Sequence, residues 1–350
     1  MKNWKYIILV LIAIAVCGCD RRLLSDPSEF IQMKVEVNVT AVANVRVNVY
    51  NEHIPAPDVN TDMMRVLIYD TETKNLLSQS FLSSKSRTED GNQMLSGSLN
   101  ISYGNYDIIV YNFDTPTTQI TGESNEETLT AFTTEVPPSL KNSYLGRTRA
   151  GDDEEDDIQM RYEPDHLVVA MEHDLRISPH DTLVVIHTEA TTVVDSYYLQ
   201  IHVEGMQYAS SATAVISGLS PANHFGIGVR ETNPPVSVAF ELNKSQDEKL
   251  PGENKDVLCA VFNTFGKIPE SSSELTVTFN VIDTGGNLQR FETSLDRIFL
   301  TEDAIERHWL LIDETWVIEN PNPGGETTGG GGGFQPTVDD WEEEYGEIVL

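Results

Sequence analysis

The sequence predicts an all-β fold made of two tandem β-sandwich domains. Apolar and polar residues alternate with period two in many segments of about six to eight residues, the pattern of half-buried strands. Turn-forming residues separate these segments. Near the middle of the chain, six consecutive carboxylates occupy residues 152–157. Because like charges repel and resist burial, they predict a solvated acidic loop over residues 147–160, with strands on either side.

The first domain is predicted over residues 31–172. Its predicted strands are residues 33–40, 45–49, 64–69, 95–101, 106–113 and 165–171. The segment Tyr103-Gly104-Asn105 has the composition of a hairpin turn, so it predicts that the two strands around it pair with each other.

The second domain is predicted over residues 173–320. Its predicted strands are residues 182–187, 196–203, 211–217, 236–242, 257–262, 275–282 and 288–293. About seven strands is the number typical of an immunoglobulin-like sandwich. Thr301 is placed to cap a short helical turn. Residues 316–318 predict a last strand before Pro321.

The N-terminus predicts a lipoprotein signal peptide over residues 1–18. Two lysines precede an apolar run at 6–16, which suits a signal peptide and is short for a membrane-spanning helix of about 20 residues. Small residues then lead to Cys19, in a pattern that resembles a bacterial lipobox. We therefore expect a lipid on Cys19, a tether over residues 19–30, and a location at the outer membrane or cell surface. The alternative is an ordinary signal peptide with a chance cysteine.

Charge and cysteine content narrow the function further. The chain carries 23 basic and 55 acidic residues, a formal net charge of −32, which argues against nucleic acid and anionic membrane surfaces as partners. With Cys19 lipidated, Cys259 has no second mature cysteine to pair with, and its apolar neighbours predict a buried thiol.

Trp309 and Trp316 are predicted core residues, and Tyr197 and Tyr198 point to opposite faces of a strand.

No catalytic motif is present, so the sequence predicts a protein that is not an enzyme and has no cofactor. Metal hydrolase, serine hydrolase, phosphate-loop and C-x-x-C signatures are all absent. Residues 58–62 begin like an EF-hand, but Met63 stands where glycine is needed. Histidines recur every seven residues, an odd spacing that scatters side chains over both faces of strands: His166, His173, His180 and His187. Ca²⁺ binding by the acidic loop is the alternative to a plain solvated loop.

The C-terminal arm, residues 321–350, combines a flexible tether with apolar side chains. Five consecutive glycines occupy residues 329–333 and span about 11–13 Å as a flexible coil. The candidate partner-binding residues are Trp341, Tyr345, Ile348, Val349 and Leu350. Three of them recur four residues apart, which suits one face of a strand and roughly one face of a helix. A partner-binding arm, a disordered acidic tail and an arm docked on its own domain remain alternatives.

Taken together, these features resemble the fimbrillin-related surface lipoproteins of Bacteroidales. The resemblance is carried by the lipobox, the two β domains, the strand Gly104–Asn112 and the glycine-rich acidic arm with Trp341. It implies a pair of transthyretin-like sandwiches and assembly by strand exchange at the cell surface. The implied partners are the membrane, through the N-terminal lipid, and other fimbrial subunits or surface proteins.

The arginine positions favour an uncut anchor or accessory (adhesin) subunit within that family. Shaft subunits of the family are cut after Arg or Lys in a loop near the first strand. Here Arg21 and Arg22 lie beside Cys19, while Lys34 and Arg46 fall inside strand patterns. The alternative function is a surface glycan-binding lipoprotein of a polysaccharide-uptake system.

Overall fold

The computed structural model describes residues 30–39, 61–87, 93–113, 115–146, 159–247, 255–268 and 274–322. In this part of the chain, strands dominate and the α-helices are short, which confirms the all-β prediction. No helix in these ranges is long and apolar enough to cross a bilayer. The signal peptide, Cys19, the predicted strand 45–49, residues 147–158 of the acidic loop and arm residues 323–350 lie outside the described residues.

The strands are β1 Phe30–Val39, β2 Met64–Asp70, β3 Leu76–Leu82, β4 Ser84–Arg87, β5 Gln93–Ser102, β6 Gly104–Asn112, β7 Thr118–Thr121, β8 Thr130–Thr133, β9 Met160–Arg161, β10 Val168–Ile177, β11 Leu183–Thr192, β12 Asp195–Glu204, β13 Ala209–Leu219, β14 Ala222–His224, β15 Val229–Arg230, β16 Val236–Glu241, β17 Asn243–Asp247, β18 Lys255–Thr264, β19 Thr276–Asp283, β20 Leu288–Ser294 and β21 Trp309–Val317. The helices are α1 Pro138–Tyr144 and α2 Glu302–Arg307, with 3₁₀ turns at Glu126–Thr128, Met206–Tyr208 and Ile298–Leu300.

The first sandwich consists of one eight-stranded sheet, in the order β3-β2-β6-β10-β11-β1-β5-β4, folded over its own core. β10 and β11 share only two register pairs, at the end of β11, so this junction joins two four-stranded layers. Met64 and Val66 from β2 and Ile108 from β6 meet Leu95 and Ile101 from β5 in a common buried cluster. The alternation seen in the sequence therefore places one face of each layer in the core.

The segment Tyr103–Asn105 is an arch between the layers, which corrects the predicted hairpin. β5 pairs with β1 and β4, whereas β6 pairs with β2 and β10. Both β5 and β6 bury apolar side chains in the same core from opposite sides, which a hairpin within one layer cannot do. The buried Tyr106 holds the arch, since its hydroxyl donates to the carbonyl of Ser102 at 2.9 Å.

The second sandwich packs a four-stranded sheet, β17-β18-β12-β21, against a five-stranded sheet, β20-β19-β13-β16-β9. Leu199, Phe262 and Leu310 from the first sheet share a core cluster with Ile216 and Phe279 from the second.

Several single-residue predictions are confirmed in this sandwich. Trp309, Trp316 and Cys259 are buried. The Thr301 hydroxyl caps α2 by accepting the N–H of Ala304 at 3.2 Å.

A third, small sheet joins the two halves of the sequence, and the predicted division between residues 172 and 173 needs correction. β7 and β8 pair with β14 and β15 in the order β15-β14-β8-β7. β10 runs through the predicted division, and β11 belongs to the first sandwich. Conversely, β9 pairs with β16 of the second sandwich. Period-two alternation identifies a strand but does not show which neighbour it pairs with.

The small sheet covers the outer face of β2, β6 and β10. Phe225, at the end of β14, is fully buried there and packs edge-on against Tyr111 of β6, with ring centroids 5.4 Å apart. Gly226 follows, where a Cβ would lie only 1.9 Å from the carbonyl oxygen of Glu126. Only glycine permits so close an approach of the two backbones.

Candidate functional site

The first strand, β1, lies inside its layer with a partner on each side. Residues 30–39 pair antiparallel with residues 93–102 of β5, and residues 32–39 pair parallel with residues 183–190 of β11. Both backbone edges of β1 are therefore engaged. Without β1, the layer would be split between β11 and β5, so this strand completes the first sandwich.

A polar pocket lies at the end of the first sandwich where β1 begins. We use the name polar pocket for the cavity of about 480 Å³ lined by Thr71, Tyr103, Asn105, Asp174, Arg176 and Ser178, among others. Its walls come from the turn after β2, the arch between β5 and β6, and the end of β10. Phe30 pairs with Ser102, next to Tyr103, so the N-terminus of β1 starts at this same pole.

Beneath the polar pocket lies a network of charged groups, here called the ion-pair network, formed by Lys74, Asp107, Glu126 and His173. Lys74 Nζ is 2.6 Å from Asp107 Oδ2 and 3.1 Å from Glu126 Oε2. On the other side of the two carboxylates, His173 Nδ1 is 3.7 Å from Asp107 Oδ1 and 3.4 Å from Glu126 Oε1. Both carboxylates are almost completely buried, whereas His173 is half exposed.

Asp107 connects the ion-pair network to the wall of the polar pocket. Its Oδ1 accepts the backbone N–H of Asp174 at 2.8 Å and the hydroxyl of Thr71 at 3.4 Å. A bulge in β10 between Glu172 and Leu175 presents that N–H, and Asp174 takes a left-handed conformation with φ 56°. One buried carboxylate thus fixes two pocket residues, one in the turn after β2 and one in the bulge of β10.

The electrostatics of the ion-pair network differ between its two acids. Burial disfavours ionisation of Asp107, but the Lys74 ammonium and the Asp174 N–H outweigh it, so the pKa of Asp107 lies below its ordinary value. Burial raises the pKa of Glu126, and the nearby Asp107 charge adds to this effect. The hydrogen bond to Asp107 raises the pKa of Lys74. Asp107, beside Lys74, is therefore the more readily ionised of the two acids.

Among the residues that the structure describes, Asp107, Glu126 and His173 are the group with the spacing of metal ligands. Lys74 already supplies a cation to both carboxylates from the opposite side. The arrangement therefore places a cation against both buried carboxylates, as a buried ion-pair network needs.

Two side chains that line the polar pocket, Tyr103 and Arg176, present polar groups to a ligand. Tyr103 is 54% exposed. Neither the Tyr103 hydroxyl nor the Arg176 guanidinium has a hydrogen bond or ion pair within the described ranges. The pocket therefore combines an exposed ring, an unengaged donor group and the carboxylate of Asp174.

The structure does not place the site residues that were named from the sequence. Cys19 and the arm residues Trp341, Tyr345, Ile348, Val349 and Leu350 lie outside the described residues. Sequence reasoning missed the polar pocket and the ion-pair network. One signal was present: Asp107 interrupts the apolar run of β6, where an acid needs a buried partner. The four histidines do not converge; His173 alone among them joins the group of metal-ligand types in the described chain.

The fold and these sites define an all-β, multi-sandwich protein whose features are a completed first layer and a surface pocket. The family described as Domain of unknown function (DUF5119) matches residues 35–241, more than half of the chain. The chain belongs to this family.

One curated relative is described as part of a fimbrium. A Bacteroides ovatus protein described as a fimbrium anchoring subunit, Fim4B, is 23% identical over 272 residues, which cover 77% of this chain and 68% of the relative. This similarity confirms the resemblance to fimbrillin-related proteins.

Two solved structures match this chain with lower sequence identity. A Bacteroides ovatus adhesin structure has a TM-score of 0.49 and 20% identity, and the match covers 87% of this chain and 94% of that chain. The fimbrial anchor protein Mfa2 of Porphyromonas gingivalis has a TM-score of 0.44 and 15% identity, with 83% of this chain and 92% of that chain covered.

Proposed function

We propose that this protein is a non-catalytic subunit of a cell-surface fimbrium, of the anchor or accessory type. It is held at the outer membrane by a lipid on Cys19 and joins other fimbrial subunits by strand exchange. The similarity to a fimbrium anchoring subunit over 77% of the chain supports this role. The observation that carries the proposal is the position of β1.

The position of β1 suits an anchor for a mechanical reason. Ten residues, 20–29, separate Cys19 from the start of β1. A pull on the lipid tether acts along β1, and β1 is hydrogen-bonded to β5 and β11 on its two sides. Both ladders then resist the load together, and their bonds share it. A strand at a sheet edge would have only one ladder to oppose the same force.

The C-terminal arm supplies the contact with the next subunit in this proposal. Trp341, Tyr345 and Val349 provide apolar side chains four residues apart, behind the glycine tether 329–333. An extended segment that adds to a partner's sheet gains main-chain hydrogen bonds for affinity and side-chain pockets for specificity.

The test separates anchoring from assembly with three full-chain variants expressed in the native cell. Cys19→Ala should move the protein from the membrane fraction to the soluble fraction, while Cys17→Ala, the matched control in the leader, should leave it in the membrane. A triple variant, Trp341→Ser with Tyr345→Ser and Val349→Ser, should stay in the membrane. It should lose the fimbrial subunits that co-purify with the parent chain, as identified by mass spectrometry.

Two results would contradict the proposal. If the parent chain brings down no fimbrial subunit after cross-linking, the fimbrial role is wrong. If the triple variant retains its partners at the parental level, the arm is not the contact. Circular dichroism of each purified variant checks that the fold is intact.

A further inference from the structure

The walls of the polar pocket match a ligand that both donates and accepts hydrogen bonds. Arg176 can only donate, Asp174 can only accept, and the amide of Asn105 can do both. A hydroxyl group pairs with a donor and an acceptor at once. Several hydroxyls on one rigid ring could therefore engage these neighbouring side chains together.

The charge of the polar pocket disfavours an anion. The positive charge of Arg176 is balanced by the negative charge of Asp174, two residues earlier in β10. The whole chain carries a net charge of −32. A phosphate or nucleotide site would need several unopposed donors or cations. The pocket thus suits a neutral, polar molecule.

Tyr103 supplies the remaining element of recognition, an exposed aromatic face. The apolar faces of a pyranose ring, formed by its C–H groups, pack against such a ring while the hydroxyls at its rim reach polar groups. The other apolar lining residues are Ile177, which is buried, and Pro179. This apolar surface is too small for a lipid or a large hydrophobic ligand.

The polar pocket is also held in shape before any ligand arrives. Asp107 fixes Thr71 and Asp174, and the Tyr106 hydroxyl fixes the arch that carries Tyr103. Its volume of about 480 Å³ falls within the range of roughly 300–1,000 Å³ for ligand sites. A preformed site has less ordering entropy to lose on binding.

We infer that the polar pocket binds a neutral saccharide, with Tyr103 stacking on a sugar ring and Arg176 and Asp174 bonded to its hydroxyls. This goes beyond the fimbrial role and gives the subunit an adhesive site of its own. Two sources share this chemistry: the polysaccharide of the cell's own surface, and glycans of other cells or of the surroundings.

The experiment uses the full-length chain purified in a detergent without a sugar headgroup. The chain is applied to an array that carries neutral, sialylated and sulfated oligosaccharides together with surface polysaccharide extracted from the native cell. Isothermal titration calorimetry then measures affinity for the strongest neutral binder. We expect binding to neutral saccharides, and the position of the signal on the array identifies their source.

Variants tie that binding to the polar pocket. Tyr103→Ala and Arg176→Gln should each weaken it by about tenfold or more, since each removes one of the principal contacts. Phe81→Ala is the matched control: Phe81 is an exposed aromatic residue, 47% accessible, that pairs with Arg65 at the opposite end of β2. It should bind as the parent does.

The inference fails if the parent chain binds no saccharide on the array, or binds only the sialylated or sulfated ones. It fails equally if folded Tyr103→Ala and Arg176→Gln chains bind with parental affinity. Thermal unfolding establishes that each variant is folded, and two independent variants keep the test decisive if one is not. These outcomes do not depend on co-purification of fimbrial subunits, so this inference and the fimbrial role can fail separately.

Discussion

Replacing Lys74 by methionine should destabilise the first sandwich by about 3 kcal/mol at pH 7.5. At 2.6 Å and 3.1 Å from its partner oxygens, the ammonium attracts each carboxylate by roughly 5–6 kcal/mol at an effective dielectric constant of about 20, before desolvation is counted. Removing one partner of a buried pair costs about 3–5 kcal/mol. We expect a cost at the lower end of this range because the Lys74 side chain is 31% exposed. Water can therefore partly replace the ammonium beside the carboxylates.

The loss of stability caused by Lys74→Met should be larger at high pH than at low pH. The pKa of Glu126 is already raised in the folded protein, and loss of the ammonium raises it further. A raised carboxyl pKa favours folding at low pH, and this contribution is lost as pH rises. The destabilisation should therefore be smaller near pH 5 than near pH 8.

Guanidinium denaturation followed by circular dichroism at pH 5 and pH 8 measures this difference. Tryptophan fluorescence is a poor probe here, because the described tryptophans, Trp309 and Trp316, lie in the second sandwich. The matched control is Lys85→Met, whose ion pair with Asp62 is exposed and should be worth less than about 1 kcal/mol. The reasoning is refuted if Lys74→Met costs no more than this control, or costs the same at both pH values.

Two further predictions concern the contacts between the sheets. Burial raises the pKa of Glu163 to about 7, and its Oε2 accepts the N–H of Asn263 on β18 at 2.8 Å. The free energy of unfolding should therefore fall as pH rises from about 4.5 to 7. Glu163→Gln should remove this fall and make the protein more stable than the parent by about 2 kcal/mol at pH 8. The same denaturation series measures both effects. Phe225→Ala, which empties a fully buried site against Tyr111, should cost about 3–5 kcal/mol. Ile227→Ala, two residues along and exposed, should change the free energy of unfolding by less than about 0.5 kcal/mol.

The strands were predictable from the sequence because alternation is a local property. Where a polar and an apolar face repeat over six or more residues, as in β19, one face of a strand is buried whichever sheet it joins. The capping of α2 by Thr301 was predictable for the same reason, since the donor and the acceptor lie three residues apart.

The pairing of strands was not predictable, because it depends on contacts between distant residues. The turn composition of Tyr103–Asn105 fits a hairpin as well as an arch, and the deciding contacts are the core positions of β5 and β6 in opposite layers. Likewise β11 reads as the first strand of a second domain. Its parallel pairing with β1, about 150 residues earlier in the sequence, assigns it to the first sandwich, together with two register pairs to β10.

The polar pocket also depends on contacts between residues that are distant in the sequence. Lys74, Asp107 and Glu126 are separated by 33 and 19 positions in the sequence, and neither Lys74 nor Glu126 stands out in its own segment. The acid inside β6 indicated that a partner was needed, but no local rule identified Lys74. Sequence reasoning could therefore predict that Asp107 is paired, and could not predict that the pair supports a pocket.

Both proposals involve the same end of the first sandwich, where β1 begins. Phe30 pairs with Ser102, adjacent to Tyr103, so a tether from Cys19 would join the first sandwich beside the polar pocket. The ten tether residues span at most about 35 Å when fully extended. A lipidated Cys19 would thus keep the pocket within that distance of the bilayer, where the cell's own surface saccharides are concentrated. Lipid and saccharide would then hold the same subunit at two points. Because the second attachment is intramolecular once the first has formed, even a weak pocket would strengthen the anchor.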